Sequence, residues 1–113
     1  MLSLKDSVRL DWLTPQMALA AHVVDGAYTR IGVECVITSA NDSAHAGHPV
    51  AGDTVDPHYC GKALDFRVKT VPQDQRAGLV AALQQRLGPT FVVLHEDAGT
   101  DSEHVHVQYG RIA

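Results

Sequence analysis

Two segments, each bracketed by proline at one end and glycine at the other, constrain this chain more than any other feature. In the first, Thr14-Pro15 places an N-cap residue before a proline at the first helical position, where the missing N–H costs nothing. Met17, Ala20, Ala21, Val24, Ala27, Tyr28 and Ile31 then recur at three- and four-residue steps, and Gly32 stands where a helix stop belongs. In the second, Val71-Pro72 opens a segment whose apolar stripe is Ala77, Val80, Leu83 and Leu87, and Gly88 ends it. Two helices that are apolar along one stripe need a common surface to bury it against. Four short runs read as strands supply one: 33–39, which is β-branched, 62–68, which alternates, 90–96 and 104–110. The expected fold is an α+β domain over residues 1–113: a small antiparallel sheet of about four strands, with two main helices packed on it and no internal repeat or linker. Residues 40–57, rich in Gly, Pro, Asp and Ser, read as one long loop, and a loop of that length in a small domain usually serves function.

Composition narrows the function classes. A chain of 113 residues is long enough to bury a core. A formal charge of -4 offers no electrostatic footprint for nucleic acid, and no apolar run is long enough to span a membrane. Lys5, Asp6, Arg9 and Asp11 occupy the positions where a signal peptide needs an apolar core, so synthesis in a cytoplasm without a signal peptide is expected. Two cysteines do not make a disulfide scaffold; Cys35 reads as a small core residue. A monomer is expected, with Trp12 anchoring the N-terminal segment.

Seven histidines are the anomaly, and most lie between His45 and His106. HYCGKALDF (58–66) sets His58 at the end of the long loop, Gly61 at a tight turn and Asp65 inside a strand. Alternation puts Ala63 on the face of Asp65 and Phe66 on the other. An aspartate among Leu64, Phe66 and Val68 is costly to bury unless it is paired or bound to a metal. In EHVHVQY (103–109), His104 and His106 share a face, and Glu103 stands at the strand's entrance. If strands 62–68 and 104–109 are neighbours, Asp65 and His106 reach one ion. Catalytic zinc needs three such ligands, an open position and a nearby acid or base, which Glu103 could be. A surface His-x-His pair is the plainer reading of 104–106. Cys60 is a rival thiolate ligand, while His45 and His48 are solvated loop residues or line a cleft. His95 or Glu96 could orient a ligand imidazole, and Tyr109 packs or hydrogen-bonds near the site.

HYCGKALDF resembles the HxxGxAxD signature of the zinc D-Ala-D-Ala carboxypeptidases and the L-Ala-D-Glu endopeptidases of phage endolysins. EHVHVQY is similar to their closing acid-His-x-His motif, and TSANDSAH (38–45) to a TSG-x-D-x-x-H segment of small phage-type members. The resemblance runs from about Val33 to Tyr109. It implies zinc ligands His58, Asp65 and His106, a catalytic acid/base at Glu103 and an assisting His104. It also implies a peptidoglycan stem peptide as substrate and action on the cell wall after release or as part of a virion. Two positions depart from the pattern: Asp56 replaces a serine before the first ligand, and Asp42 stands where many relatives carry an arginine for a substrate carboxylate. Asp42 and His45 are therefore the candidates for the substrate end of the cleft. The alternatives are a zinc-stapled cell-wall-binding or virion module without activity, and an amidase acting on the same polymer.

Overall fold

The computed structural model describes residues 2–40, 49–50, 54–55 and 61–110. Its elements run β1 (Leu2–Leu4), α1 (Pro15–Arg30), β2 (Cys35–Ser39), β3 (Pro49–Val50), β4 (Thr54–Val55), β5 (Ala63–Arg67), α2 (Gln73–Leu87), β6 (Phe91–Glu96) and β7 (His104–Tyr109). Thr14 caps α1 as expected: its side-chain oxygen accepts the Met17 N–H at 3.2 Å. At the far end Gly32, with φ +72°, lets the chain reverse; the Gly32 N–H donates to Thr29 and the Val33 N–H to Tyr28. That pair of bonds is a Schellman motif, and it satisfies carbonyls the helix leaves open.

The α+β reading holds, but the sheet is mixed and has five strands, in the order β1-β2-β5-β7-β6. The missed strand is β1, which pairs parallel with β2 through Leu2↔Cys35 and Leu4↔Ile37. Three residues carry too little periodicity to announce a strand, and only the neighbouring β2 edge makes one of them. The remaining pairings, β2–β5, β5–β7 and β6–β7, are antiparallel. Within the expected loop 40–57, Pro49–Val50 pairs antiparallel with Thr54–Val55.

Both helices lie against one face of the sheet. From α1, Met17, Ala20, Ala21, Val24, Ala27 and Tyr28 enter a core shared with Ile37, Leu64, Phe66, Val93, Val105 and Val107. Each large side chain fully buried there contributes roughly 1.5–3 kcal/mol. In α2 the stripe is rotated from the expected one: Leu79 and Leu83 are buried, Val80 and Leu87 pack at the margin, and Ala77 is exposed. Leucine at 79 brings more apolar area to the core than alanine at 77, so packing chose the rotation. Cys35 is fully buried and burial is the chief cause pushing its thiol up to about 12, consistent with a core role rather than a reactive one. Tyr28 is also fully buried, and its hydroxyl donates to the Arg67 carbonyl at 2.7 Å, tying α1 to the end of β5.

With the helices on one face, alternation leaves the other to Ala63, Asp65 and Arg67 of β5, Glu96 of β6, and His104, His106 and Gln108 of β7. Between Ile37 and Ser39 the β2–β5 register slips by one residue, a bulge that brings Ser39 opposite Asp65. The chain enters β5 through Gly61, at φ +73°, whose carbonyl accepts the Thr14 N–H at 3.0 Å. This contact ties the start of α1 to the start of the strand carrying Asp65. Trp12, 46% exposed, lies against Gly61.

Candidate metal centre

Asp65 and His106 are direct partners across β5 and β7. The neighbouring strands that the sequence reading required are therefore present. Both side chains are buried, and Asp65 Oδ1 lies 2.9 Å from His106 Nδ1. The other ring nitrogen, Nε2, meets Gln108 Oε1 at 3.0 Å. Burial works against a charge on this imidazole, but the hydrogen bonds to Asp65 and Gln108 and the negative charges of Asp65 and Glu96 outweigh it. The net effect is a pKa above the ordinary histidine value.

His104 stands two residues earlier on the same face. Its Nδ1 faces the Ser102 carbonyl at 2.7 Å and its Nε2 faces Glu96 Oε1 at 3.0 Å, with Asp65 Oδ2 at 3.7 Å. Burial again opposes protonation, and the Ser102 carbonyl with Asp65 and Glu96 overcomes it, so this pKa is raised as well. Glu96 is brought in by β6, where it is the register partner of His104. Its Oε1 is 4.0 Å from His106 Nδ1.

Among the described residues, Asp65, Glu96 and His106 each offer one ligand atom, all within 4.8 Å of one another. One imidazole and two carboxylates are a donor set zinc accepts. At zinc bond lengths of about 2.0–2.2 Å, two ligand atoms on a tetrahedral ion lie ~3.3 Å apart. The Asp65–His106 pair, held at hydrogen-bond distance, needs to open by only a few tenths of an ångström for a cation to take the place of the shared proton. Gln108 then remains on the far nitrogen and fixes the ring, as partners of ligand histidines commonly do. The residues present fit the ion.

Of the expected ligand set, the structure brings Asp65 and His106 together; His58 lies outside the described residues, as do Asp42, His45, His48, Asp56 and Cys60. Glu103 is buried but is not brought into the ligand group. Its Oε1 accepts from Arg76 Nη1 at 2.9 Å and from the Gly99 N–H at 3.3 Å, while Oε2 meets His95 Nε2 at 2.6 Å. Arg76 belongs to α2, and His95 is the partner of core-facing Val105, so this carboxylate lies on the helix side of the sheet. The His95 hydrogen bond is the main reason its pKa is lowered; burial opposes, and the Gly99 amide and Arg76 charge add to the lowering. Arg76 also donates to the Val71 and Lys69 carbonyls, at 2.8 and 2.9 Å, fastening the connection between β5 and α2 to the first turns of α2. Tyr109 packs edge-on against Phe91, with ring centroids 5.3 Å apart.

Sequence reasoning considered Glu96 only as an orienting partner and overlooked Gln108. Gln108 was legible, because H-x-H-x-Q continues the two-residue alternation of one face. Glu96 was not, since only the β6–β7 register sets it opposite His104. Comparison with family models, curated proteins and solved structures finds no match to this chain.

Proposed function

We propose that this chain is a zinc-dependent peptidase of the phage endolysin kind, hydrolysing a peptide bond in the stem peptide of peptidoglycan. The pairing of Asp65 with His106 across β5 and β7 carries the reading, because the two motifs behind the resemblance meet there. Asp65 and His106 would hold the ion, with His58 as the third ligand that the resemblance supplies. When bound, zinc supplies Lewis acidity that brings a water nucleophile's pKa from about 16 towards about 7 and polarises the scissile carbonyl.

Two carboxylates compete for the proton transfers, and the geometry favours Glu96 over Glu103. Glu103 is committed to three donors that hold it ionised, which makes it a weak base. Glu96 lies beside the Asp65–His106 pair with its side chain 43% exposed, and with His58 as the third ligand it serves as the base and not as a ligand. In this assignment Glu96 takes the proton from the attacking water and returns it to the leaving amine. His104, held through Nδ1 by the Ser102 carbonyl, donates a hydrogen bond from Nε2 to the developing oxyanion. Glu103 with Arg76 positions the turn from which β7 starts.

The test is mass spectrometry of fragments released from purified peptidoglycan by the zinc-loaded protein. Peptide fragments are expected from the native chain. None are expected from His106→Ala, which should also lose zinc by elemental analysis. Glu96→Gln should lower turnover by about 10²–10⁴-fold, whereas Glu103→Gln should retain most of it. The reverse outcome would return the acid/base role to Glu103. Zinc-dependent stability without any released fragment would sink the peptidase reading and favour a zinc-stapled wall-binding or virion module.

A further inference from the structure

Among the described residues, the five-stranded sheet ends in β1 on one side and β6 on the other. β1 has three residues, and so short a strand is a poor template for pairing. β6 has six and begins Phe91-Val92-Val93-Leu94, an uncharged run of the kind that pairs with its own copy. On its inner side the Thr90 carbonyl accepts the Gly110 N–H, so by alternation the backbone groups of Phe91, Val93 and His95 point away from β7. Gln84 of α2 meets that outward row. Its Oε1 accepts the Val93 N–H at 3.0 Å, and its Nε2 donates to the Phe91 carbonyl at 2.8 Å and the Gly88 carbonyl at 3.1 Å. The Phe91 N–H donates to the Gly88 carbonyl at 3.2 Å, and Pro89 has no N–H to offer. Beyond these, the outward row holds the Val93 carbonyl and the two backbone groups of His95.

We propose that Gln84 is a stand-in strand: its side-chain amide takes the place of a neighbouring peptide group, closes the β6 edge, and keeps this chain from pairing through it with a second copy. A carboxamide carries one acceptor oxygen and two donor hydrogens, the same groups a neighbouring strand would present. It bridges Phe91 and Val93, the two-residue step at which an edge offers an outward carbonyl and an outward N–H. The occupant shut out is a second copy because this edge matches itself. Two β6 strands paired antiparallel about Val93 set Val93 against Val93 and Phe91 against His95, and each Glu96 falls opposite Thr90 of the second copy. Like charges therefore do not meet along the paired strands. Val92 and Leu94, both half-buried, would gain cover in the continuous sheet. With Gln84 in place, the groups remaining at Val93 and His95 are too few to offset the entropy lost in ordering a second strand. The metal centre takes no part, so this role stands apart from the peptidase reading.

The test is analytical ultracentrifugation of the full chain from ~10 μM to ~1 mM, with amide hydrogen exchange along β6 read by NMR at both ends of the range. The native chain should stay monomeric throughout, with the Val93 amide protected. Dilute Gln84→Ala should be monomeric, with Val93 exchanging about tenfold faster or more. When concentrated it should dimerise, with protection regained at Val93 and gained at His95. Gln84→Met keeps the length of the side chain without its amide; it should behave in the same way, and it replaces the alanine variant if that one does not fold. Gln84→Glu brings like charges to the centre of the paired edges and should stay monomeric. Gln85→Ala, at an exposed position of the same helix, should match the native chain. Monomeric alanine and methionine variants at every concentration overturn the proposal, because the amide then only fastens α2 to β6. So do dimers that leave His95 unprotected, a native chain that already dimerises through β6, and loss of folding in both variants.

Discussion

Replacing Gly61 by alanine tests how the structure builds the approach to Asp65. The residue sits at φ +73°, and a Cβ there would lie 2.9 Å from Trp12 Cδ1, 3.1 Å from the Trp12 carbonyl oxygen and 3.2 Å from Leu13 Cα. An L-residue in the left-handed region costs roughly 1–2 kcal/mol. The first contact is with a side chain, but the Trp12 carbonyl and Leu13 Cα are backbone, anchored by the neighbouring Thr14 N–H bond to Gly61. Displacing packed backbone adds about 1–3 kcal/mol, and the lower chain entropy of the unfolded variant returns about 0.4–1. The net loss should be about 2–4 kcal/mol, a large share of a typical domain stability of roughly 5–15 kcal/mol. The assay is urea unfolding followed by circular dichroism, with the melting temperature expected to fall on the order of 10 °C. Gly26→Ala and Gly78→Ala are the controls: both lie in helices with nothing within 4 Å of a new Cβ, and each should stabilise by about 0.5–1 kcal/mol. A Gly61→Ala protein within about 0.5 kcal/mol of the native chain would show that the turn is not held as described, and the reasoning would fail.

Two further outcomes follow from the contacts around the site. Glu103 has a lowered pKa in the folded chain, so the unfolded chain takes up its proton first; its contribution is complete above the ordinary value of 4.5 and lost as pH falls through the folded value. Melting temperature measured from pH 7 to pH 3 should therefore drop less steeply for Glu103→Gln than for the native chain, and parallel curves would contradict the Arg76–Glu103–His95 network. Tyr28→Phe removes the 2.7 Å bond from a buried hydroxyl to the Arg67 carbonyl at the end of β5 and should cost about 1–2 kcal/mol in urea unfolding, with a change under about 0.5 kcal/mol counting against that bond.

Local signals carried a good part of this architecture. Thr14-Pro15 and Gly32 bracket α1 because capping is decided within a few residues, and the alternation in KALDFRV and HVHVQY assigned Asp65 and His106 to faces for the same reason. The rotation of α2 could not be read from its own stripe. Leu79 and Ala77 both fit a helical period, and only packing into the shared core selects the leucine. β1 was invisible for a related reason: a three-residue strand exists only through the edge it pairs with.

The site divides along the same line. By itself the sequence determined that an aspartate would sit in a strand among apolar residues, and that two histidines would share one face of another. Periodicity is a property of the local backbone and does not depend on what lies alongside. Only the tertiary structure decided what those residues meet. Register across β5, β7 and β6 sets Asp65 beside His106 and Glu96 beside His104, and the packing of α2 takes Glu103 to Arg76 and His95 on the other side of the sheet. Pairing between distant strands is chosen by burial of the whole apolar face, a sum over the core that no short motif contains.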